Sequence, residues 1–81
     1  MVEVALWSGL RPLVGGRDSV EVEGRTVGEL LDGLRRDYPA LAPRLDAGVS
    51  VVVDGRVIAS SLTEPVRPDS EVVLMMRLKG G

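Results

Sequence analysis

Cysteine and histidine are both absent from the 81 residues. Their absence removes disulfides, thiolate metal sites, the usual nucleophile and the one side chain that titrates near neutral pH unaided. A self-contained catalyst is therefore not expected. Phenylalanine is missing too, tryptophan and tyrosine occur once each, and Lys79 is the single lysine. No apolar stretch approaches the ~20 residues that cross a bilayer. Met1-Val2-Glu3-Val4 also lacks the basic start and apolar run of a signal peptide, so a cytoplasmic location is expected. The cations are scattered and the net charge is −2, which leaves no basic stripe for nucleic acid. Asp46, Asp54 and Asp69 sit singly at turns and caps, and no metal constellation emerges. Gly15-Gly16 has neither the preceding strand nor the lysine of a phosphate loop and reads as a turn.

What is present is a chain 44% apolar and 27% charged, with ten glycines and five prolines, enough for one small domain. A domain of this size buries only about 60% of its unfolded surface, so one thin core has to hold it. Val2, Val4 and Leu6 alternate with Glu3, Ala5 and Trp7, and Val20 and Val22 alternate with Glu21 and Glu23. Each run reads as a half-buried strand, the second at a sheet edge. Between them Leu10, Leu13 and Val14 have helical spacing ahead of two glycines, which fits a short helical turn. Thr26 and Glu29 have capping-box spacing, and Val27, Leu30, Leu31, Leu34 and Tyr38 form one apolar stripe, so a helix starts here and stops at Pro39. Asp32 and Arg36 are expected to pair on its wet side, and Gly28 and Gly33 each cost about 0.5 to 1 kcal/mol against alanine. Leu41 and Leu45 fall in a proline-containing stretch read as irregular. Residues 49–53 form a β-branched strand, Asp54-Gly55 a tight turn, Arg56-Val57-Ile58 the return strand, 65–70 a loop and 71–78 the last strand.

Strand, strand, helix, strand, strand, strand within one short chain predicts an α+β domain: a mixed sheet of about five strands with one main helix across one face. A β-grasp is the natural candidate. Its first and last strands lie parallel at the sheet centre, which fits the two most continuously apolar strands. The domain is expected to span 1–78 and to carry a flexible diglycine tail at 79–81.

That ending is the most informative feature. With glycine at about 7% of residues, a terminal pair arises by chance in roughly 0.5% of chains. A tolerant, frayed end is one reading. The other makes the carboxylate of Gly81 the reactive group: lacking Cβ, Gly80 and Gly81 fit a narrow channel, and 79–81 span roughly 10 Å beyond the sheet. Adenylation would turn that weak electrophile into one that a sulfur or amine nucleophile attacks. Lys79 beside it is either a solvated charge or a contact to an acidic rim on a partner. A second candidate is a surface. If the helix covers Val2, Val4, Leu6, Val72 and Leu74, the opposite face carries Ala5, Trp7, Val73 and Met75, with Val52 nearby. Either this face is an interface, with Trp7, Val73, Met75 and Arg77 as its partner-binding residues, or loop 8–18 or segment 59–70 folds over it.

Several stretches in this order carry a family resemblance. They are the opening strand with the connection 10–16, Thr26-Val27-Gly28-Glu29-Leu30-Leu31, Tyr38-Pro39-Ala40-Leu41, Val51-Val52-Val53-Asp54-Gly55, Val66-Arg67-Pro68-Asp69-Ser70-Glu71-Val72 and Gly80-Gly81. The chain resembles the MoaD/ThiS sulfur-carrier family of ubiquitin-like β-grasp proteins, which includes the small subunit of molybdopterin synthase. The resemblance implies a protein cosubstrate that binds no cofactor itself. A ubiquitin-activating-type enzyme uses ATP to adenylate Gly81, a sulfur donor such as a cysteine desulfurase loads it as a thiocarboxylate, and a synthase large subunit or other acceptor enzyme takes the sulfur. Leu78, Lys79 and Gly80 form the tail leading to it. Molybdopterin synthesis is the first pathway implied. Sulfur carriage for thiamine or cysteine synthesis, or protein modification through an isopeptide bond at Gly81, are the alternatives. One departure is visible: molybdopterin-synthase small subunits commonly have Pro-Pro shortly before the diglycine. Met75-Met76-Arg77-Leu78-Lys79 looks more like the tail of ubiquitin, with no proline to fix φ.

Overall fold

Period-two alternation of apolar and polar residues builds five strands among the described residues, which are 1–58 and 62–76 of this computed structural model. They are β1 (Val2–Leu6), β2 (Ser19–Val22), β3 (Val49–Val53), β4 (Arg56–Ile58) and β5 (Val72–Met76), in the sheet order β2-β1-β5-β3-β4. β1 and β5 run parallel and every other pair is antiparallel. The two strands expected at the centre therefore lie there, with β2 on one edge and β4 on the other. Helix α1 (Val27–Asp37) sends Val27, Leu30 and Leu34 into the same buried cluster as Val4, Val22, Val51 and Leu74, so the core lies between sheet and helix.

Both ends of α1 are set locally. Thr26 is extended, and its Oγ1 accepts the Glu29 amide at 3.2 Å, as the capping box requires. Glu29 reaches back to the amide of Arg25 at 2.9 Å and not to that of Thr26; Arg25 and Val27, the residues flanking Thr26, bond Val66 and Glu64 across the Thr26–Pro65 bridge. The carbonyls of Glu64 and Leu62 accept the amides of Val27 and Gly28 at 3.0 and 2.8 Å. Most of the first-turn donors that helices leave open are thus closed by a neighbouring segment. The glycines in α1 have a use that propensity does not show. A Cβ on Gly33 would stand 2.5 Å from Val22 Cγ2, and one on Gly28 would stand 3.0 Å from the Leu62 carbonyl oxygen. Glycine lets the helix approach β2 and the 62–64 segment closely.

The chain after Tyr38 differs from expectation. Instead of an irregular stretch there is a 3₁₀ turn (Pro39–Leu41) running into a second helix, α2 (Ala42–Ala47). Pro39 and Pro43 both fall in the first turn of their segments, where a missing amide donor is harmless, and Leu41 and Leu45 are buried four residues apart. α2 also changes the ion pairs. Arg35 bonds Asp32 on its own helix and Asp46 on α2, each at 3.0 Å, while Arg36 turns to Asp37 at 3.1 Å, so the expected Asp32–Arg36 pair is not formed. The Asp37 hydrogen bond and charge raise the pKa of the Arg36 guanidinium further.

Other local expectations hold in kind. A 3₁₀ turn (Arg11–Val14) ends at Gly15 with φ 71°, and Asp54 and Gly55 take φ of 50° and 82° in a two-residue turn between β3 and β4.

Candidate functional site

Strand register assembles one side of the sheet into a continuous surface. Ala5 pairs with Val73, Val73 with Val52, and Val52 with Val57, so one apolar row crosses four strands. Met75 stands one step along, opposite Ser50. Ala5, Val52 and Val73 are half-buried, whereas Met75 is 42% and Val57 57% exposed. Large apolar side chains exposed to this extent and in register form a patch, not isolated surface residues.

Of the expected partner-binding residues, Val73 and Met75 lie together on this face, and Trp7 directly follows β1. The amide of Trp7 donates to the Leu74 carbonyl at 3.2 Å, which extends the β1–β5 ladder one residue past β1. Arg77, Leu78, Lys79, Gly80 and Gly81 lie outside the described residues. The described parts of the segments that could have covered this face, 8–18 and 62–70, are anchored elsewhere. Leu10 and Val14 of the first loop enter the core beside the helices, and Leu62 and Glu64 are bonded to the start of α1, with Val66 in the same core.

Val57 is the member of the row that sequence reasoning missed. The signal was available, because a two-residue Asp54-Gly55 turn fixes Val53 opposite Arg56 and hence Val52 opposite Val57.

Away from the apolar row the same face turns acidic. Glu3 stands directly opposite Glu21 across β1 and β2, and Ser19 Oγ donates to Glu3 Oε2 at 2.9 Å. Glu3, Ala5, Pro68, Asp69 and Glu71 border a shallow depression there. Like charges opposed across strands are unfavourable, so packing within the sheet does not explain them.

No polar or charged side chain is buried among the described residues, and none of them form a group of three His, Cys, Asp or Glu suited to a metal ion. No helix among them is long and apolar enough to cross a membrane. What this arrangement offers is contact area: an apolar patch whose acidic margin lies at the start of β5.

The ThiS family model matches residues 4–81, nearly the whole chain and through the two glycines. The chain belongs to the ThiS family. No curated protein sequence matches it. Among solved structures, that of the Amycolatopsis orientalis BexX/CysO complex contains a chain 25% identical, with TM-score 0.83 and full coverage of both chains. SAMP1 from Haloferax volcanii is 31% identical, with TM-score 0.72, over 99% of this chain and 98% of that one. The complex of subunits 1 and 2 of the molybdopterin-converting factor from Helicobacter pylori has a chain 16% identical, with TM-score 0.68, over 99% of this chain and 97% of that one, a likeness of fold alone. The β-grasp fold expected of this ThiS-family member is the fold observed, and its function is that of a sulfur carrier or a SAMP-like modifier.

Proposed function

We propose that this ThiS-family protein is a sulfur carrier whose reacting group is the carboxylate of Gly81. The observation that carries this reading is the family match, which runs unbroken from the first strand through Gly80-Gly81. A ubiquitin-activating-type enzyme joins the carboxylate to the α-phosphate of ATP and releases pyrophosphate. The persulfide of a donor such as a cysteine desulfurase then attacks the acyl carbon and displaces AMP, giving an acyl disulfide, and a thiol cleaves the S–S bond so that the thiocarboxylate stays on Gly81 and the donor is left as a disulfide. The chain itself binds no cofactor in this scheme and works in the cytoplasm. Its contribution is recognition: the row Ala5, Val73, Val52 and Val57, with Trp7 and Met75, docks on the activating enzyme and presents 79–81 to its active site.

The relatives in complex lend support to an acceptor enzyme as second partner, BexX for one and the other converting-factor subunit for the other. For the pathway, molybdopterin synthesis has the weaker of these two likenesses, and the missing Pro-Pro pair points the same way. Deleting Gly81 in the host and measuring molybdopterin, thiamine and cysteine separates the three routes.

Intact-mass analysis after incubation with ATP, the cognate activating enzyme and a sulfur source is the direct test. The expected product is heavier by the difference between sulfur and oxygen. An unchanged mass across the activating enzymes of the host overturns the reading.

A second reading, protein modification, is favoured by the 31% identity to SAMP1. Covalent adducts that survive denaturant and reductant, and that disappear with Gly81, would support it. Only Lys79 could accept another copy through a side chain.

A further inference from the structure

The missing side chain of Gly9 is replaced by an aromatic ring. A Cβ placed there would overlap Nε1 of Trp7 and lie 3.1 Å from its Cδ1 and 3.3 Å from its Cε2. Gly9 is not among the glycines with positive φ, so its backbone makes no demand for glycine and the demand comes from the indole. The backbone around the ring is fixed from both sides. The Trp7 amide is held by Leu74 at 3.2 Å, and its carbonyl accepts the amide of Leu10 at 3.0 Å, with Leu10 itself fully buried. Arg11 reinforces the loop twice, its amide donating to the Ser8 carbonyl at 3.3 Å and its Nε to the Leu6 carbonyl at 3.3 Å.

The geometry points to Gly9 as a positioning residue for partner recognition: by leaving space for the five-membered ring, it seats the single indole of the chain just past the end of β1. An aromatic side chain held in its bound orientation loses little conformational freedom on docking, which is why rigid aromatic anchors dominate interfaces. Trp7 is half-buried and packs against the core, so the ring is supported on one side and open on the other. The inference rests on the reading of this sheet face as the surface that docks the activating enzyme.

The test uses the full chain and the cognate activating enzyme, with ATP–pyrophosphate exchange measured against carrier concentration. In Gly9→Ala the domain should stay folded, because an indole can turn where a backbone could not. Its fluorescence, from one tryptophan only, should shift and become more accessible to a soluble quencher. The KM for the carrier should rise about tenfold, toward the value for Trp7→Ala, with kcat unchanged. In a Trp7→Phe background, where the overlapping nitrogen is gone, the same alanine should have little further effect on KM. An unmoved indole, an unchanged KM, or an equal effect in the Trp7→Phe background overturns the role assigned to Gly9. Should Gly9→Ala fail to fold, folding rescued by Trp7→Phe supports the seat and failure in both backgrounds overturns it. If Trp7→Ala itself leaves KM unchanged, the docking surface is refuted along with it, an outcome distinct from failure of Gly9 alone.

Discussion

Gly33 of α1 faces Val22 of β2 so closely that a single added carbon would come within 2.5 Å of the valine Cγ2. Val22 is fully buried and, being β-branched, has little freedom to turn away. Alanine at position 33 gains about 1 kcal/mol of helix propensity but forces an overpacked contact that costs about 1 to 3 kcal/mol. Gly33→Ala should therefore destabilise by up to about 2 kcal/mol in urea denaturation. Pairing it with Val22→Ala should give a loss smaller than the sum of the two. Strict additivity would place the strain elsewhere.

At the start of the same helix, Thr26→Ala removes the acceptor for the Glu29 amide and should cost about 1 kcal/mol. Glu29→Gln keeps an oxygen able to accept from Arg25 and should stay within about 0.5 kcal/mol of the parent. Equal losses in the two variants would show that the Glu29 charge, and not its acceptor, holds the cap.

Asp54 joins the β3–β4 turn to the start of β5. Its amide donates to the Glu71 carbonyl at 2.8 Å, and its Oδ1 accepts the Glu71 amide at 2.9 Å, while its own φ is 50°. Asparagine preserves both the acceptor and the tolerance for positive φ, so Asp54→Asn should be close to neutral. Asp54→Ala loses both and should cost about 1 to 2 kcal/mol, read as a lower midpoint in chemical denaturation.

On the open face, Val57→Lys changes a residue that is 57% exposed, and its effect on stability should stay below about 1 kcal/mol. The KM of adenylation should nevertheless rise several-fold if the apolar row reaches β4 in the docked complex. An unaltered KM would confine docking to β1 and β5.

Much of this was readable from residue order because short-range chemistry decided it: alternation for the strands, Thr26 and Glu29 for the helix start, Asp54-Gly55 for the turn and hence for register. The parts that were not readable depend on what lies across the fold. Pro39 and Pro43 look like interruptions until α2 exists to place them in first turns, and Asp46 becomes a partner of Arg35 only once α2 packs there. Gly28 and Gly33 look like weaknesses in a helix until Leu62 and Val22 are known to press against it. The apolar patch was visible in β1 and β5, but that 8–18 and 62–70 are anchored away from it shows only in where Leu10, Glu64 and Val66 are held.

β5 occupies the middle of the sheet although it comes last of the five described strands in chain order, with β1 on one flank and β3 on the other. Until it arrives, the β1–β2 and β3–β4 hairpins share no hydrogen bonds, and the row from Ala5 to Val57 is split in two. A prematurely terminated product therefore lacks not just its final residues but the surface by which an enzyme would recognise it. Strand order alone thus couples completion of that surface to the arrival of the tail.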